Sequence, residues 1–289
     1  MPTRGAIIKH LICRKVCAMP TLQHNGVTIN YRDSGTGDVL LLLHAAGSTS
    51  GQWRGFTPHF EDRFRVIAPD LYGHGKTAFW PNPRTLTHDD QGDLIGAVLD
   101  QLGIERVHMI AHSYGGGSGI RHLLKKPDTV RSLVVIEPMI GSLLFEREEV
   151  QAISEVKQMW DGFLQSLEDG GPEAAWKGFL DFRNGPGTWD NYPEKTRNNF
   201  LSRTEGHVAN IYANKSNPTT MAELRSISAP TLAIRSERPT NFDRRMVELL
   251  AEAVPGCEFI TLSDTEHMCP LTHPDLVAEA VDKHISKLV

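Results

Sequence analysis

Residues 107–116 of the chain read VHMIAHSYGG. The apolar first half is typical of a buried strand, and the glycines that follow open a helical pattern that continues to residue 125. Ser113 lies between the two, with the small residues Ala111 and Gly115 two positions away on either side. A serine on such a strand–turn–helix bend projects its hydroxyl above a helix N-terminus, whose partial positive charge favours a developing anion. The stretch therefore predicts Ser113 as a nucleophile, although Ala111 stands where the strict Gly-x-Ser-x-Gly pattern has its first glycine.

Short apolar runs of the same kind recur along the chain, each closed by turn residues. Strands that alternate with helices predict an α/β fold with a mostly parallel central sheet and helices on both faces. Asn25-Gly26, a two-residue hairpin signal, predicts an antiparallel pair at the start of the sheet. The predicted strands cover residues 27–31, 39–43, 65–68, 107–111, 132–136, 231–234 and 258–262, and the predicted helices cover 90–102, 115–125, 244–253 and 275–288.

A long middle region interrupts this alternation. It contains helical stripes that carry aromatic side chains, separated by Gly-Pro breaks at 170–172 and 184–187. Aromatic residues at this density are unusual on a surface unless they cover something, which predicts an inserted helical cap that roofs a pocket. The predicted division is an N-terminal extension at 1–20, a core at 21–139 and 223–289, and a cap at 140–222.

A second motif follows the predicted strand at 39–43, where residues 40–48 read LLLLHAAGS. A turn of small residues lets backbone N–H groups face a reacting carbonyl, and a tetrahedral oxyanion requires two such donors. The N–H groups of Ala46 and Tyr114 are the candidates. The next strand ends in a glycine-rich bend in which Asp70 and His74 are predicted to be structural.

A general base is expected late in the chain, after the last predicted strand. Residues 264–270 read DTEHMCP and offer His267. The chain has 13 histidines, so a histidine alone is weak evidence. His267 is selected because the strand order predicts that its loop lies beside Ser113.

Together, these motifs resemble the α/β-hydrolase superfamily, within its lid-bearing branch of serine esterases and lactonases. The resemblance covers residues 21–289, and its markers are HAAG at 44–47, DLYGHG at 70–75, HSYGG at 112–116 and HMCP at 267–270. It implies the α/β-hydrolase fold with an inserted cap and supports Ser113 as the nucleophile. The motifs are specific for the fold and the nucleophile but say little about the substrate.

The acid partner of the histidine is where this sequence departs from the family pattern. The resemblance implies Gly-x-x-Asp after the penultimate strand, but residues 234–239 read IRSERP and place proline at that position. The superfamily has a second solution, an acid at the end of the strand after the nucleophile helix. Glu137 occupies that place and is the predicted acid, with Glu237 and Asp243 as alternatives.

Four residues are predicted to contact substrate. His44, Trp53 and His112 are close in sequence to the oxyanion or nucleophile motif, and Trp160 belongs to the predicted cap. The tryptophan stripes alone do not decide which rings point into a pocket.

The resemblance implies a hydrolase that cleaves a small-molecule carboxylic ester, lactone or thioester through an acyl-enzyme on Ser113. Haloalkane dehalogenase and epoxide hydrolase activities are not expected, because relatives with those activities attack with aspartate. Hydrolysis of a carbon–carbon bond next to a ketone and cofactor-free haloperoxidase chemistry are the alternatives among enzymes. A ligand receptor that kept the hydrolase fold is the alternative of another class.

Composition narrows the range of partners. The formal net charge of −5 provides no positive field for nucleic acid or an anionic membrane surface, so a small-molecule substrate is expected. We expect no metal, nucleotide or flavin cofactor. The four cysteines, Cys13, Cys17, Cys257 and Cys269, form no CxxC pair, which favours a reducing, cytoplasmic location. No pattern in the sequence predicts an oligomeric state.

Overall fold

A single sheet organises the part of the chain that the structure, a computed structural model, describes, which is residues 19–288. Its eight strands are arranged in the order β1-β2-β4-β3-β5-β6-β7-β8. β1 and β2 pair antiparallel, as do β2 and β4, and all other neighbours are parallel. The strands are β1 Thr21–His24, β2 Val27–Ser34, β3 Asp38–Leu43, β4 Phe64–Pro69, β5 Val107–His112, β6 Val130–Ile136, β7 Thr231–Ser236 and β8 Glu258–Leu262.

Both faces of the central parallel strands β3, β5, β6 and β7 are largely buried, which explains why these strands are apolar runs and not alternating patterns. Side chains still point to opposite faces in turn, as β3 shows. Leu41 and Leu43 pack in one core with α1, α2 and α9, whereas Leu40 and Leu42 pack in a second core with α11. The predicted mostly parallel sheet with helices on both faces is thereby confirmed.

Helices fill the connections from β4 onward, whereas short turns join β1, β2 and β3, and 3-10 turns lie between β3 and β4. In the described residues the helices are α1 His88–Gln101, α2 Tyr114–Lys125, α3 Ser142–Glu146, α4 Val150–Asn184, α5 Thr188–Asn191, α6 Glu194–Leu201, α7 Thr204–Lys215, α8 Met221–Arg225, α9 Asn241–Ala253, α10 Cys269–Thr272 and α11 Pro274–Ile285. Short 3-10 turns lie at Ser50–Arg54, Thr57–His59, Pro83–Thr85 and Pro127–Thr129. Along this described part of the chain, no helix has the length and apolar character needed to cross a membrane.

The predicted hairpin is present at the start of the sheet. Asn25 and Gly26 both have positive φ, 49° and 75°, as a type I′ turn requires. The predicted extension at 1–20 lies almost entirely outside the described residues, and so do Cys13 and Cys17. Of the other two cysteines, Cys257 is half-buried and Cys269 buried, and neither forms a disulfide.

Helices α3 to α8 lie between β6 and β7 in sequence, and we call them the cap helices. They fall within the predicted cap at 140–222 except that α8 ends at Arg225. α4 bends at Gly171, where φ is 76° and Pro172 follows. From the cap side, Asn210 on α7 bonds the ring of His74 at 3.0 Å, and Arg203 donates to the carbonyl of Gly47 at 2.9 Å. The cap helices therefore rest on the loops at the carboxyl ends of β3 and β4.

Candidate active site

Ser113 lies on the bend between β5 and α2, in a conformation that side chains rarely adopt. Its φ is 52° and its ψ is −115°. Such strain persists only where surrounding contacts hold it. The Ser113 N–H donates to the carbonyl of Ile136 at 3.0 Å, and the Ser113 carbonyl accepts from the N–H of Met139 at 2.9 Å. The segment that follows β6 therefore fixes the backbone of the candidate nucleophile.

Two glycines after Ser113 permit a close approach between α2 and the neighbouring strand ends. A Cβ on Gly115 would lie 2.7 Å from the carbonyl oxygen of His44, and one on Gly116 would lie 2.6 Å from the Cβ of Pro138. Both distances are too short for a real side chain. Glycine at these positions lets the first turn of α2, with Ser113 before it, lie directly against the ends of β3 and β6.

Three side chains meet at the carboxyl edge of the sheet. The Oγ of Ser113 lies 3.0 Å from Nε2 of His267, and Nδ1 of the same ring lies 2.7 Å from Oε2 of Glu137. Ser113 follows β5, Glu137 follows β6 and His267 follows β8, so neighbouring parallel strands bring together residues 154 and 130 positions apart. This is the geometry of a serine nucleophile, its base and an orienting acid.

Glu137 is fully buried and has a positive φ of 41°. Its second carboxylate oxygen accepts from both the hydroxyl and the N–H of Ser236, the latter at 2.7 Å. Burial alone would raise the pKa of this carboxyl, but the hydrogen bond and charge of His267, together with the Ser236 donors, lower it to about 2. Glu137 is therefore a carboxylate at neutral pH.

The low pKa of Glu137 predicts how the free energy of unfolding changes with pH. The pKa of Glu137 is about 2 in the folded chain, against an ordinary value of 4.5, so its contribution is present above pH 4.5 and is lost as pH falls toward 2. Between about pH 4.5 and pH 2, the unfolded chain carries a proton on Glu137 that the folded chain lacks. We expect the free energy of unfolding, measured with urea between about pH 5 and pH 3, to fall more steeply for wild type than for Glu137→Gln, by up to about 1 kcal/mol per pH unit. Equal slopes would contradict an ionised, buried Glu137.

The two alternative acids lie in different environments. Glu237 is exposed and accepts from the N–H of Asp264 at 2.8 Å, and it forms no hydrogen bond or ion pair with His267 among the described residues. Asp243 is fully buried on α9, with Oδ2 3.6 Å from Nδ1 of His267, but the same oxygen lies 2.7 Å from the guanidinium of Arg183. Glu137 is the carboxylate within hydrogen-bond distance.

Glu137, Asp243 and His267 also offer three ligand atoms within 4.8 Å of one another, which is close enough to hold a metal ion. Each group already has protein partners. The imidazole pairs with Glu137 and Ser113, and Arg183 supplies the cation beside Asp243. These partners make the cluster an imidazole paired with Glu137, beside a second carboxylate whose charge Arg183 balances.

The two predicted oxyanion donors differ from their neighbours in hydrogen bonding. The N–H of Ala45 donates to the side chain of Gln52, and that of Gly115 donates to the carbonyl of His44 at 3.1 Å. Across the described residues, the N–H groups of Ala46 and Tyr114 donate to no protein group. An oxyanion donor must be unpaired in this way, and the role of the two N–H groups stays a prediction.

A known protein family matches most of the chain by sequence. The sequence model of the alpha/beta hydrolase fold family matches residues 38–274. The chain belongs to the α/β-hydrolase family. The match includes the segments that carry Ser113, Glu137 and His267.

Individual relatives of this α/β hydrolase have different names. It is 28% identical over 266 residues to the 2-hydroxy-6-oxononadienedioate/2-hydroxy-6-oxononatrienedioate hydrolase of Escherichia coli, covering 88% of this chain and 89% of the relative. It is 36% identical over 116 residues to epoxide hydrolase 2 of Siraitia grosvenorii, a match that spans only 36% of that relative's length. A crystal structure of a hydrolase from Pseudomonas aeruginosa superposes with a TM-score of 0.76 at 23% identity, covering 94% of this chain and 99% of the other, which shows a shared fold.

In this α/β hydrolase, two of the residues predicted to contact substrate are engaged elsewhere. His44 has no exposed surface: Nδ1 bonds the carbonyl of Ala45 at 2.8 Å, and Nε2 accepts from the N–H of Leu71 at 3.1 Å. Burial lowers the pKa of His44 to about 4, so the ring is neutral and ties two loops together. Trp53 is fully buried in the second core, 5.3 Å from the ring of Phe56. These contacts give both rings a structural role, and substrate contact by His44 and Trp53 stays a prediction.

The other two predicted contacts remain predictions, although the structure gives each ring a neighbour. His112 is buried and Nε2 donates to the carbonyl of His267 at 2.8 Å, which holds the loop that carries His267. Burial lowers the pKa of His112 well below its usual range, so this ring is neutral. Trp160 lies against Gly141, where a Cβ would be 2.6 Å from the ring.

Asp70 and His74 have the internal hydrogen bonds expected of structural residues. The two oxygens of Asp70 accept from the N–H groups of Ser50 at 2.7 Å and Lys76 at 3.2 Å. The His74 ring bonds the carbonyl of Tyr72 and the amide of Asn210. These bonds brace the loop after β4 beneath the cap helices.

Sequence reasoning missed two residues at this site. Ser236 holds Glu137, and the signal for it was present, because the final residue of β7 lies beside the end of β6 in a parallel sheet. Arg183 pairs with Asp243 across 60 positions. No local pattern in the sequence predicts that pair.

Proposed function

We propose that this α/β hydrolase cleaves a small-molecule carboxylic ester, or the related lactone or thioester, through an acyl-enzyme on Ser113. The observation that carries the proposal is the continuous series of contacts from Ser113 through His267 to Glu137, at 3.0 and 2.7 Å. Both contacts are short enough for proton transfer and for orientation of the ring.

The first half of the reaction forms the acyl-enzyme. Nε2 of His267 accepts the hydroxyl proton of Ser113 while Oγ bonds to the carbonyl carbon, and the carbonyl electron pair moves to oxygen. The N–H groups of Ala46 and Tyr114 stabilise that oxyanion, and ionised Glu137 stabilises the imidazolium. When the oxyanion collapses, the bond to the leaving oxygen breaks and the imidazolium donates its proton to the alcohol.

The second half uses water in place of serine. Nε2 of His267 accepts a proton from water, the hydroxide oxygen bonds to the acyl carbon, and the same two N–H groups stabilise the second oxyanion. Collapse breaks the bond to Oγ of Ser113, which takes the proton back from the imidazolium. The carboxylic acid is released, and the free enzyme is regenerated.

Intact mass after treatment with a fluorophosphonate tests the proposal without knowledge of the substrate. We expect one adduct on wild type and none on Ser113→Ala. Ser118→Ala is the matched control, because Ser118 lies one turn further along α2 with its hydroxyl bonded to His88, and it should keep the adduct. An adduct on Ser113→Ala would contradict the proposal. No adduct on any of the three proteins would also contradict it and would favour a ligand receptor on a hydrolase fold.

A second candidate function is hydrolysis of a carbon–carbon bond next to a ketone. The E. coli relative is named for a substrate that carries a ketone and two carboxylates. Arg203 supports this candidate, because its guanidinium is half-buried and donates to the carbonyl of Gly47, in the loop after β3 that carries Ala46. A cation in that position is suited to a substrate carboxylate.

Substrate charge separates the two candidates. A dienedioate is consumed with loss of its conjugated absorbance if the second candidate is correct, and Arg203→Met then lowers kcat/KM for it more than for a neutral ester. Turnover of neutral esters alone, with equal effects of Arg203→Met on all of them, would contradict the second candidate.

A further inference from the structure

Arg183 and Asp243 form a buried ion pair beside the base. Arg183 lies near the end of α4, a cap helix, and Asp243 lies in the first turn of α9. The guanidinium Nη1 is 2.7 Å from Oδ2 of Asp243, and the two side chains are 8% and 0% exposed. A buried charge is costly unless it is paired, so each group depends on the other.

Asp243 is held where it could compete with Glu137. Its Oδ2 accepts the hydroxyl of Thr240 at 2.6 Å and lies 3.6 Å from Nδ1 of His267, against 2.7 Å for Glu137. Its Oδ1 is buried and has no hydrogen-bond partner among the described residues. The carboxylate is therefore close to the imidazole without being its partner.

The charge of Asp243 matters to the base because a negative charge within about 4–6 Å raises the pKa of an imidazole by roughly 1–3. An imidazole that faced two free carboxylates would remain protonated at higher pH and could not accept the proton of Ser113. Arg183 prevents this by supplying one positive charge to the second carboxylate.

The other titratable groups near His267 do not provide this compensation. His112 on β5 is neutral because burial lowers its pKa, and Cys269 on α10 is a neutral thiol because burial raises its pKa to about 12. Around the cavity of about 380 Å³ that reaches His267, charged or titratable side chains are contributed by Arg183, Arg238, Asp264, Glu266 and His273. Arg238 is exposed there and lies 3.5–3.7 Å from the carboxylates of Glu237, Asp264 and Glu266.

We propose that Arg183 is a positioning residue that neutralises Asp243 and leaves Glu137 as the acid partner of His267. The proposal rests on the proposed function for the role of His267 as the base. It also gives a cap helix control over the protonation of the base. Displacement of α4 would remove Arg183 from Asp243 and leave the imidazole between two carboxylates.

Titration of His267, followed by NMR on protein labelled at the histidine ring carbons and assigned with His267→Gln, tests this directly. Arg183→Met should raise the midpoint of the His267 titration by about one pH unit. Asp243→Asn should lower the midpoint, because Arg183 then acts on the imidazole without compensation. The double variant, which lacks both charges, should return to within about 0.3 pH unit of wild type.

Arg183→Lys is the matched control, since it keeps the positive charge and should leave the midpoint near that of wild type. A midpoint for Arg183→Met within about 0.3 pH unit of wild type would overturn the proposal. If Arg183→Met does not fold, the His267 titration of Asp243→Asn tests the proposal instead. An unchanged midpoint in Asp243→Asn would also overturn it. A merely structural ion pair would lower Tm in both single variants without moving the midpoint in opposite directions.

The rate of fluorophosphonate labelling gives a second readout. At acidic pH, Arg183→Met should label about tenfold more slowly than wild type, and the difference should disappear at alkaline pH. The two proposals can fail separately. Absence of labelling on wild type contradicts the serine hydrolase, whereas the NMR titration requires no nucleophile and still tests the ion pair.

Discussion

Ser113→Ala is expected to abolish turnover, with a loss of kcat on the order of 10⁵-fold or more. The loss is large because in the proposed mechanism Oγ is the atom that bonds to the acyl carbon, and no other hydroxyl lies within hydrogen-bond distance of Nε2 of His267 among the described residues. Steady-state assays with the best ester from a screen, at enzyme concentrations high enough to detect a weak residual rate, measure it.

The folded state should tolerate this change. Alanine keeps the backbone bonds from the Ser113 N–H to Ile136 and from Met139 to the Ser113 carbonyl, and it loses only the bond to His267. Alanine at a φ of 52° has a strain similar to that of serine. Tm should therefore change by only a few degrees. Activity close to wild type in a folded Ser113→Ala protein would eliminate Ser113 as the nucleophile.

Glu137→Gln is expected to lower kcat by roughly 10⁴-fold, as neutralising the acid of a serine triad does. Glutamine has nearly the same shape, but its amide removes the charge that stabilises the imidazolium. An amide N–H directed at Nδ1 would also favour the wrong ring tautomer. The kcat of the variant at its optimal pH, compared with wild type, measures the effect.

Glu237→Gln is the matched control for that experiment. Glu237 is an exposed carboxylate on the loop after β7 and makes no contact with His267, so kcat should be unchanged. Asp243→Asn should lower kcat by less than about tenfold at optimal pH, because Arg183 already balances the charge of Asp243. A large loss in Asp243→Asn together with a small one in Glu137→Gln would identify Asp243 as the acid.

Much of the fold was predictable from the sequence because its signals are local. Buried parallel strands are apolar runs, and Asn25-Gly26 has the conformation that its two-residue turn requires. Ser113 and His267 were predicted for the same reason, since each follows a strand at the carboxyl edge of the sheet. Glu137 required the family resemblance, because an acid after β6 is no stronger a local signal than Glu237.

The sequence did not predict how Trp53, His44 and Arg183 pack, because one-dimensional patterns do not report packing. Trp53 follows the oxyanion motif by a few residues, and the 3-10 turn Ser50–Arg54 places its ring in the second core, which packs against α11. His44 lies in that motif, yet both ring nitrogens bond backbone groups. Arg183 and Asp243 meet across 60 positions, and only the three-dimensional arrangement of α4 and α9 brings them together.

The position of Glu137 before the cap helices has an evolutionary consequence. Ser113, Glu137 and both oxyanion donors are encoded upstream of α3, and only His267 follows the helical insertion. An insertion in this place can be exchanged or resized without moving Glu137, so new substrate pockets can be sampled while the proposed nucleophile, acid and oxyanion donors are inherited intact. The contribution proposed for Arg183 on α4 would be lost with the insertion. If the chain were divided within the insertion, the nucleophile and the acid would lie on the first fragment and the base on the second. Activity would then report directly on reassembly of the two halves.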